Sequence, residues 1–151
     1  MNDKEIIEQI RESNMIEGIL RDPTTFEIEE HKRFVKLDEI TIDDLKQFVS
    51  VYQGDAVLRD SPGLDVRVGN YIPPYGGTMI PHLLSSLLHN ANGMRSDPPW
   101  GLHCRYEQLH PFTDGNGRSG RALWYWAMRR QGRSVQLRFL HTFYYQTLEA
   151  V

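Results

Sequence analysis

The run His110-Pro-Phe-Thr-Asp-Gly-Asn-Gly-Arg-Ser-Gly-Arg121 constrains this chain more than any other stretch. It places three glycines, a proline and an acid between two segments that read as helices, one from about Trp100 to Leu109 and one continuing to about Arg130. Glycines let backbone N–H groups converge on an anion, and the helix N-terminus behind them adds about half a positive charge, so the run is suited to cradle phosphate. Arg118 and Arg121 are three apart and share a face of that helix. A cation there opposes the macrodipole, whereas an anion would gain roughly 0.3–1 kcal/mol, which suggests that a bound polyanion compensates the pair. Arginines at an arbitrary helix start are ordinarily solvated surface charges, and that plainer reading stands beside the first.

Two other loop chemistries fail on the residues. A Walker-type loop requires a lysine followed by Ser or Thr after its glycines, and none is present. An EF-hand beginning at Asp114 would need glycine where Ser119 stands and a bidentate glutamate where Tyr125 stands.

The rest of the chain reads as mainly helical. Residues 3–20 form an expected helix, closed by Asp22-Pro23, with Ile6, Ile10, Ser13, Glu17 and Leu20 on one stripe. Two polar members of that stripe stand where packing residues belong, so the helix presses a hydroxyl and a carboxylate into something. Thr41 caps a further helix, with Asp44 in the capping-box position. Val66 to Ile72 reads as two extended runs about Gly69-Asn70, a hairpin ended by Pro73-Pro74. Met79 to about Asn92 is a packing helix carrying Ile80, Leu83, Leu84, Leu87, Leu88 and Ala91, and a last helix is expected over about 135–149. The expected architecture is one domain over 1–151, a helical bundle with one β-hairpin.

Composition limits the function classes. The 151 residues, 40% hydrophobic and with a net charge of −3, suit one globular domain and argue against a broad duplex-DNA surface. The single cysteine, Cys104, cannot form an internal disulfide, and no apolar run approaches a membrane span. A cytoplasmic protein with neither nucleic-acid nor membrane partner is expected. His103, His82 and His89 lack a complete ligand set and read as packing or capping residues. The clusters Trp124-Tyr125-Trp126 and Phe143-Tyr144-Tyr145 could supply a homo-oligomer interface, although burial within one chain is the commoner fate of such rings.

The pattern His-Pro-Phe-x-Asp-Gly-Asn-Gly-Arg-x-x-Arg resembles the signature of the Fic family at every specified position of residues 110–121. The resemblance implies a Fic fold and transfer of AMP from ATP to a Ser, Thr or Tyr hydroxyl of a protein. By that resemblance His110 is the general base and Asp114 the carboxylate for Mg²⁺. Gly115, Asn116 and Gly117 form the anion hole, with Arg118 near the β-phosphate and Arg121 near the γ-phosphate. Phe112 anchors the loop rather than touching ligand. Ser13-Asn-Met-Ile-Glu17-Gly resembles the family's inhibitory signature, which implies that residues 1–22 form an inhibitory helix whose Glu17 pairs with Arg121. The segment near Val66 to Ile72 is similar to the family's flap, where a protein target docks, and Tyr71 or Tyr75 are candidates for self-modification. Other nucleotide donors, removal of AMP, and an ATP-sensing module without turnover are the alternative readings.

Overall fold

The structure, a computed structural model, describes residues 2–94 and 97–133. Among them it forms six helices: α1 (Asp3–Ile16), α2 (Thr25–Val35), α3 (Ile42–Gln53), α4 (Met79–Asn92), α5 (Pro99–Leu109) and α6 (Asn116–Arg130). The mainly helical architecture is as expected, whereas the helix over 135–149 and the Phe143-Tyr144-Tyr145 cluster lie outside the described residues. No helix among the described residues is long and apolar enough to cross a membrane.

Side-chain caps set where the first three helices begin. Asn2 with Glu5, Thr24 with Glu27 and Thr41 with Asp44 each form a capping box, satisfying N–H groups that a helix start leaves without partners. The α2 box does more. Glu27 is buried, and its carboxylate also accepts from Arg21 Nη1 at 2.6 Å and from Asn14 Nδ2 at 3.3 Å, so the cap fastens α2 to α1.

Helix α1 is shorter than the span 3–20 read from its apolar stripe. Gly18 adopts φ +77°, the Ile19 N–H donates to the Asn14 carbonyl at 3.0 Å, and the Gly18 N–H donates to the Met15 carbonyl at 3.0 Å. This Schellman motif ends the helix at Ile16 and leaves Glu17 as its C-cap. Leu20, the last member of the stripe, falls beyond the helix and is 79% exposed. The residues that α1 actually buries are Ile6, Gln9, Ile10 and Asn14.

Helix α6 is the axis of the fold and packs against α5, α2, α3 and α1. Its first half is polar and its second half aromatic, yet almost all of it is buried, including Trp124, Tyr125 and Trp126. The core around it is built from Phe34, Phe48, Ile80, Leu84, Tyr106, Phe112 and Leu123. Helix α4 contributes a narrower stripe than its sequence pattern suggests, since Leu83 remains exposed.

The hairpin expected over Val66 to Ile72 is reduced to a tight turn. Val68 and Tyr71 exchange two backbone hydrogen bonds of 2.9 Å around Gly69-Asn70, and the ladder stops at that single bridge. The next hydrogen-bonded pair outward would join Val66 to Pro73, which has no N–H to give. A second bridge joins Leu58 to Phe112 and sets the start of the 60–77 loop beside the residues after α5.

Two histidines are buried neutral. His31 Nε2–H donates to Gln9 Oε1 at 3.1 Å and meets the Tyr125 ring edge-on, and burial pushes its pKa down to about 4. Burial likewise pushes His103 down to about 3 while its Nδ1–H donates to the Gly120 carbonyl at 2.8 Å. Both groups take up a proton when exposed, so they support folding above about pH 6.5 and lose that support as pH falls toward their folded values. The His31 contribution lost between pH 6.5 and 4 should be on the order of 3 kcal/mol. Urea unfolding at pH 7 and pH 4.5 checks this, since His31→Phe should flatten the acid loss relative to wild type.

Candidate functional site

The turn between α5 and α6 is fixed by side chains before any ligand is considered. The Asn116 amide brackets Phe112: Nδ2 donates to the Phe112 carbonyl at 2.7 Å, and Oδ1 accepts from the Phe112 N–H at 2.8 Å. Phe112 itself is fully buried, the anchor that the sequence suggested. The Ser119 hydroxyl donates to the Gly115 carbonyl at 2.8 Å and accepts from the Tyr106 hydroxyl at 2.7 Å, tying α6 to α5. The Asn116 side chain is therefore committed to the loop, and only its backbone could face an anion.

His110 is the C-cap of α5 and the only non-glycine residue with positive φ among the described residues, at φ 51° and ψ 61°. Such a left-handed backbone costs a non-glycine residue about 1–2 kcal/mol and persists where its surroundings enforce it. Burial presses the His110 pKa below the ordinary histidine value, and the Arg59 cation adds to this. The Glu107 carbonyl favours the protonated ring, but Nδ1 is enclosed without a full hydrogen bond. Near neutral pH the ring is a neutral acceptor.

At the start of α6 the structure brings together four of the residues singled out by sequence. Arg121 is 1% exposed; its Nε donates to Ser13 Oγ at 2.8 Å, and its Nη2 donates to Glu17 Oε1 at 2.6 Å and to the Ser13 carbonyl at 3.1 Å. The Glu17 carboxylate also lies directly over Gly117, where any side-chain carbon would collide with Oε1. Glycine at 117 leaves room for an anion to approach the helix this closely, and a larger residue would displace the Glu17 carboxylate from its seat.

Arg118 is placed elsewhere. Its guanidinium donates to Gln53 Oε1 and to the Tyr52 carbonyl at 3.3 Å and rests over the Tyr52 ring at 5.6 Å, so it faces α3. Burial lowers its pKa, with Glu17 and Asp114 opposing, and its Nε is enclosed without a partner. A small cavity under α1, lined in part by Ser13, His31, Tyr52 and Arg118, adjoins it. Asp114 is exposed, and its Oδ1 accepts from the Gly115 N–H at 2.8 Å. The described residues hold no cluster of three His, Cys, Asp or Glu that would bind a metal unaided. One exposed carboxylate beside the glycine-rich start of α6 fits magnesium, which takes one or two protein carboxylates and completes its shell with phosphate and water.

Sequence reading missed Gln53 and Tyr52, which hold Arg118 from α3, and Glu107. Burial raises Glu107 to about 8, Arg121 pulling it down and Glu17 pushing it up, and its enclosed Oε1 lies over Gly120. A signal existed for Glu107, which stands one turn before His110 on α5; the pairing of Arg118 with α3 left none.

The Fic/DOC family model matches residues 7–128. This chain belongs to the Fic/DOC family. Solved structures of similar fold include a Fic-domain-containing signalling protein from Bacteroides thetaiotaomicron, with 20% identity, a TM-score of 0.68, and coverage of 98% of this chain and 71% of that one. A segment of Fic-1 from C. elegans gives 20% identity and a TM-score of 0.65, covering 97% of this chain and 55% of that one. At these identities the two structures show a shared fold, and this chain spans little more than half of the second. The matched stretch of the family model includes both Glu17 and Arg121.

Asn116→Ala should cost about 3 kcal/mol, because it leaves the N–H and carbonyl of buried Phe112 without partners. Urea midpoints measure the loss. The same substitution should speed amide hydrogen exchange in the turn over 111–117.

Proposed function

We propose that this Fic-family protein is an adenylyltransferase that moves the AMP part of ATP onto a Ser, Thr or Tyr hydroxyl of another protein, and that its own α1 holds it in check. The seat of Glu17 carries this reading. A carboxylate of the chain already lies against Gly117 and Arg121 at the positive end of α6, and a phosphate group of ATP would satisfy the same helix dipole, glycine backbone and guanidinium. With Glu17 in place, the γ-phosphate loses its arginine and meets a like charge. Once Glu17 leaves, Arg121 takes the γ-phosphate, and Arg118 exchanges Gln53 for the β-phosphate.

His110, neutral near pH 7, accepts the proton of the target hydroxyl. The hydroxyl oxygen bonds to the α-phosphorus, the bond to the bridging oxygen of pyrophosphate breaks, and pyrophosphate leaves. Asp114 would hold Mg²⁺, which supplies charge neutralisation at the phosphates. The target segment docks at the turn about Val68 to Tyr71 by main-chain pairing, with exposed Tyr71, Ile72 and Tyr75 around it and self-modification of Tyr71 or Tyr75 as a variant of the same event. The burial of Arg121 behind its contacts with Glu17 and Ser13 favours a second reading, an ATP-sensing module in which these contacts are a permanent lock.

Labelled ATP separates these readings in the Glu17→Gly variant. Label carried on the α-phosphate should appear on protein about tenfold or more above wild type, equivalent to removing about 1.4 kcal/mol of competition for Arg121. Transfer from the γ-phosphate alone would mean a kinase, and transfer from neither would leave the sensing module. In this released background, His110→Ala should lower transfer at least about a hundredfold while ATP affinity stays within a few-fold.

The gain from Glu17→Gly should vanish when Arg121→Ala is added. Self-labelling and ATP affinity across wild type, both single variants and the double variant give the coupling between the two positions. Unchanged labelling and affinity in Glu17→Gly would make α1 ordinary scaffold.

A further inference from the structure

Arg59 is fully buried, yet it makes no ion pair among the described residues. Its side chain donates four times, each time to a backbone carbonyl: Nε to His110 at 2.7 Å, Nη2 to Leu109 at 2.8 Å, and Nη1 to Pro74 at 2.8 Å and to Leu64 at 3.2 Å. Two of these carbonyls belong to the end of α5 and two to the 60–77 loop. The main chain of Arg59 joins the same parts, since its N–H donates to the Pro111 carbonyl at 2.9 Å and its carbonyl accepts from the Gly77 N–H at 3.0 Å. The Tyr71 hydroxyl adds a donation to the Gln108 carbonyl at 2.7 Å. The carbonyls of residues 108, 109 and 110, which a helix end leaves without internal partners, are all taken by side chains from the loop and its root.

We propose that Arg59 is a positioning residue that locks the left-handed His110 and the 60–77 loop into one unit, so that the base and the segment facing it are held in fixed relation; this rests on the reading of His110 as the general base. The chemistry requires a guanidinium. Four carbonyl oxygens converging on one buried point repel each other, and only a planar cation with donors fanned in several directions can hold them apart and satisfied. The helix C-terminus, carrying partial negative charge, favours a cation at this place. The charge has a second effect, since it disfavours protonation of His110 and so keeps the ring able to accept a proton. Other charged groups bear on this ring as well: Glu17 from the end of α1 and Asp114 from the turn both favour its protonated form, and Arg59 opposes them.

The geometry and the charge can be tested apart in the Glu17→Gly background. Arg59→Lys keeps the charge and loses the fan of donors, so kcat should fall about tenfold or more with the KM for ATP within about threefold, and amides of the 60–77 loop should exchange faster. The His110 ring, followed by nitrogen NMR and assigned with His110→Ala, should keep its pKa. Arg59→Met loses both, and the acid limb of the rate profile and the NMR titration of the ring should move together to higher pH by about half a unit or more. A measurement on wild type needs no variant: the Arg59 Nε–H should exchange with solvent at least about a hundredfold more slowly than surface arginines. Fast exchange of that proton overturns the proposal, as does an Arg59→Lys protein with undiminished kcat and an unchanged loop. If the parent shows no AMP transfer at all, the functional reading fails by itself, and the ring titration and proton exchange still decide whether the clamp exists.

Discussion

A helix that opens with Arg118 and Arg121 places two cations at its own positive end, and much of the molecule is arranged to answer that charge. Arg121 is met by Glu17 and Ser13 from α1, and Arg118 by Gln53, Tyr52 and the aromatic face of α3. The two helices that supply these partners are among the four packed around α6. An arginine left buried without such partners would be far more costly than an exposed one. The site thus does not sit on a finished scaffold; the contacts that neutralise it are among those that assemble the bundle.

The C-terminal ends of α2, α4 and α5 follow a common rule. Arg59 takes the last carbonyls of α5, Arg129 reaches the Val35 carbonyl that closes α2, and Arg130 donates to the Ala91 and Asn92 carbonyls that close α4. Each brings a cation to the negative end of a helix dipole. Each also joins segments distant in sequence, so that these arginines serve as tertiary links as much as caps. The buried histidines work by a different principle: they remain neutral, spend one N–H on an internal acceptor, and make the packing sensitive to acid.

The sequence made the turn at 110–121 legible because glycine, proline and capping residues act locally, and the family membership followed from the same twelve positions. Ser13 and Glu17 were legible as polar residues on a packing stripe, and they do meet Arg121. The end of α1 was misjudged because helical periodicity continued through Leu20, while the backbone turned at Gly18. The start of α2 went unread although Pro23-Thr24-x-x-Glu27 spelled a capping box. Strand pairing at Val66 to Ile72 is shorter than the alternation suggests, because Pro73, read as ending the hairpin, also stands opposite Val66 and removes the hydrogen-bonded pair next to Val68 and Tyr71. Arg59 left no local trace at all: its partners lie up to 51 residues away, and they are carbonyls, which every residue has.

The Schellman end of α1 gives Glu17 an unusual freedom. The carboxylate that rests on Gly117 belongs to a C-cap, beyond the last fully helical residue, while the helix is fastened further back by Gln9 on His31 and by Asn14 on Glu27. Helix termini fray at much lower cost than helix interiors. On the reading proposed above, the Glu17 carboxylate can leave Arg121 by movement at the helix end alone, while Ser13 and Asn14 keep α1 seated, so a change in occupancy at one end of α6 need not be felt as unfolding anywhere else.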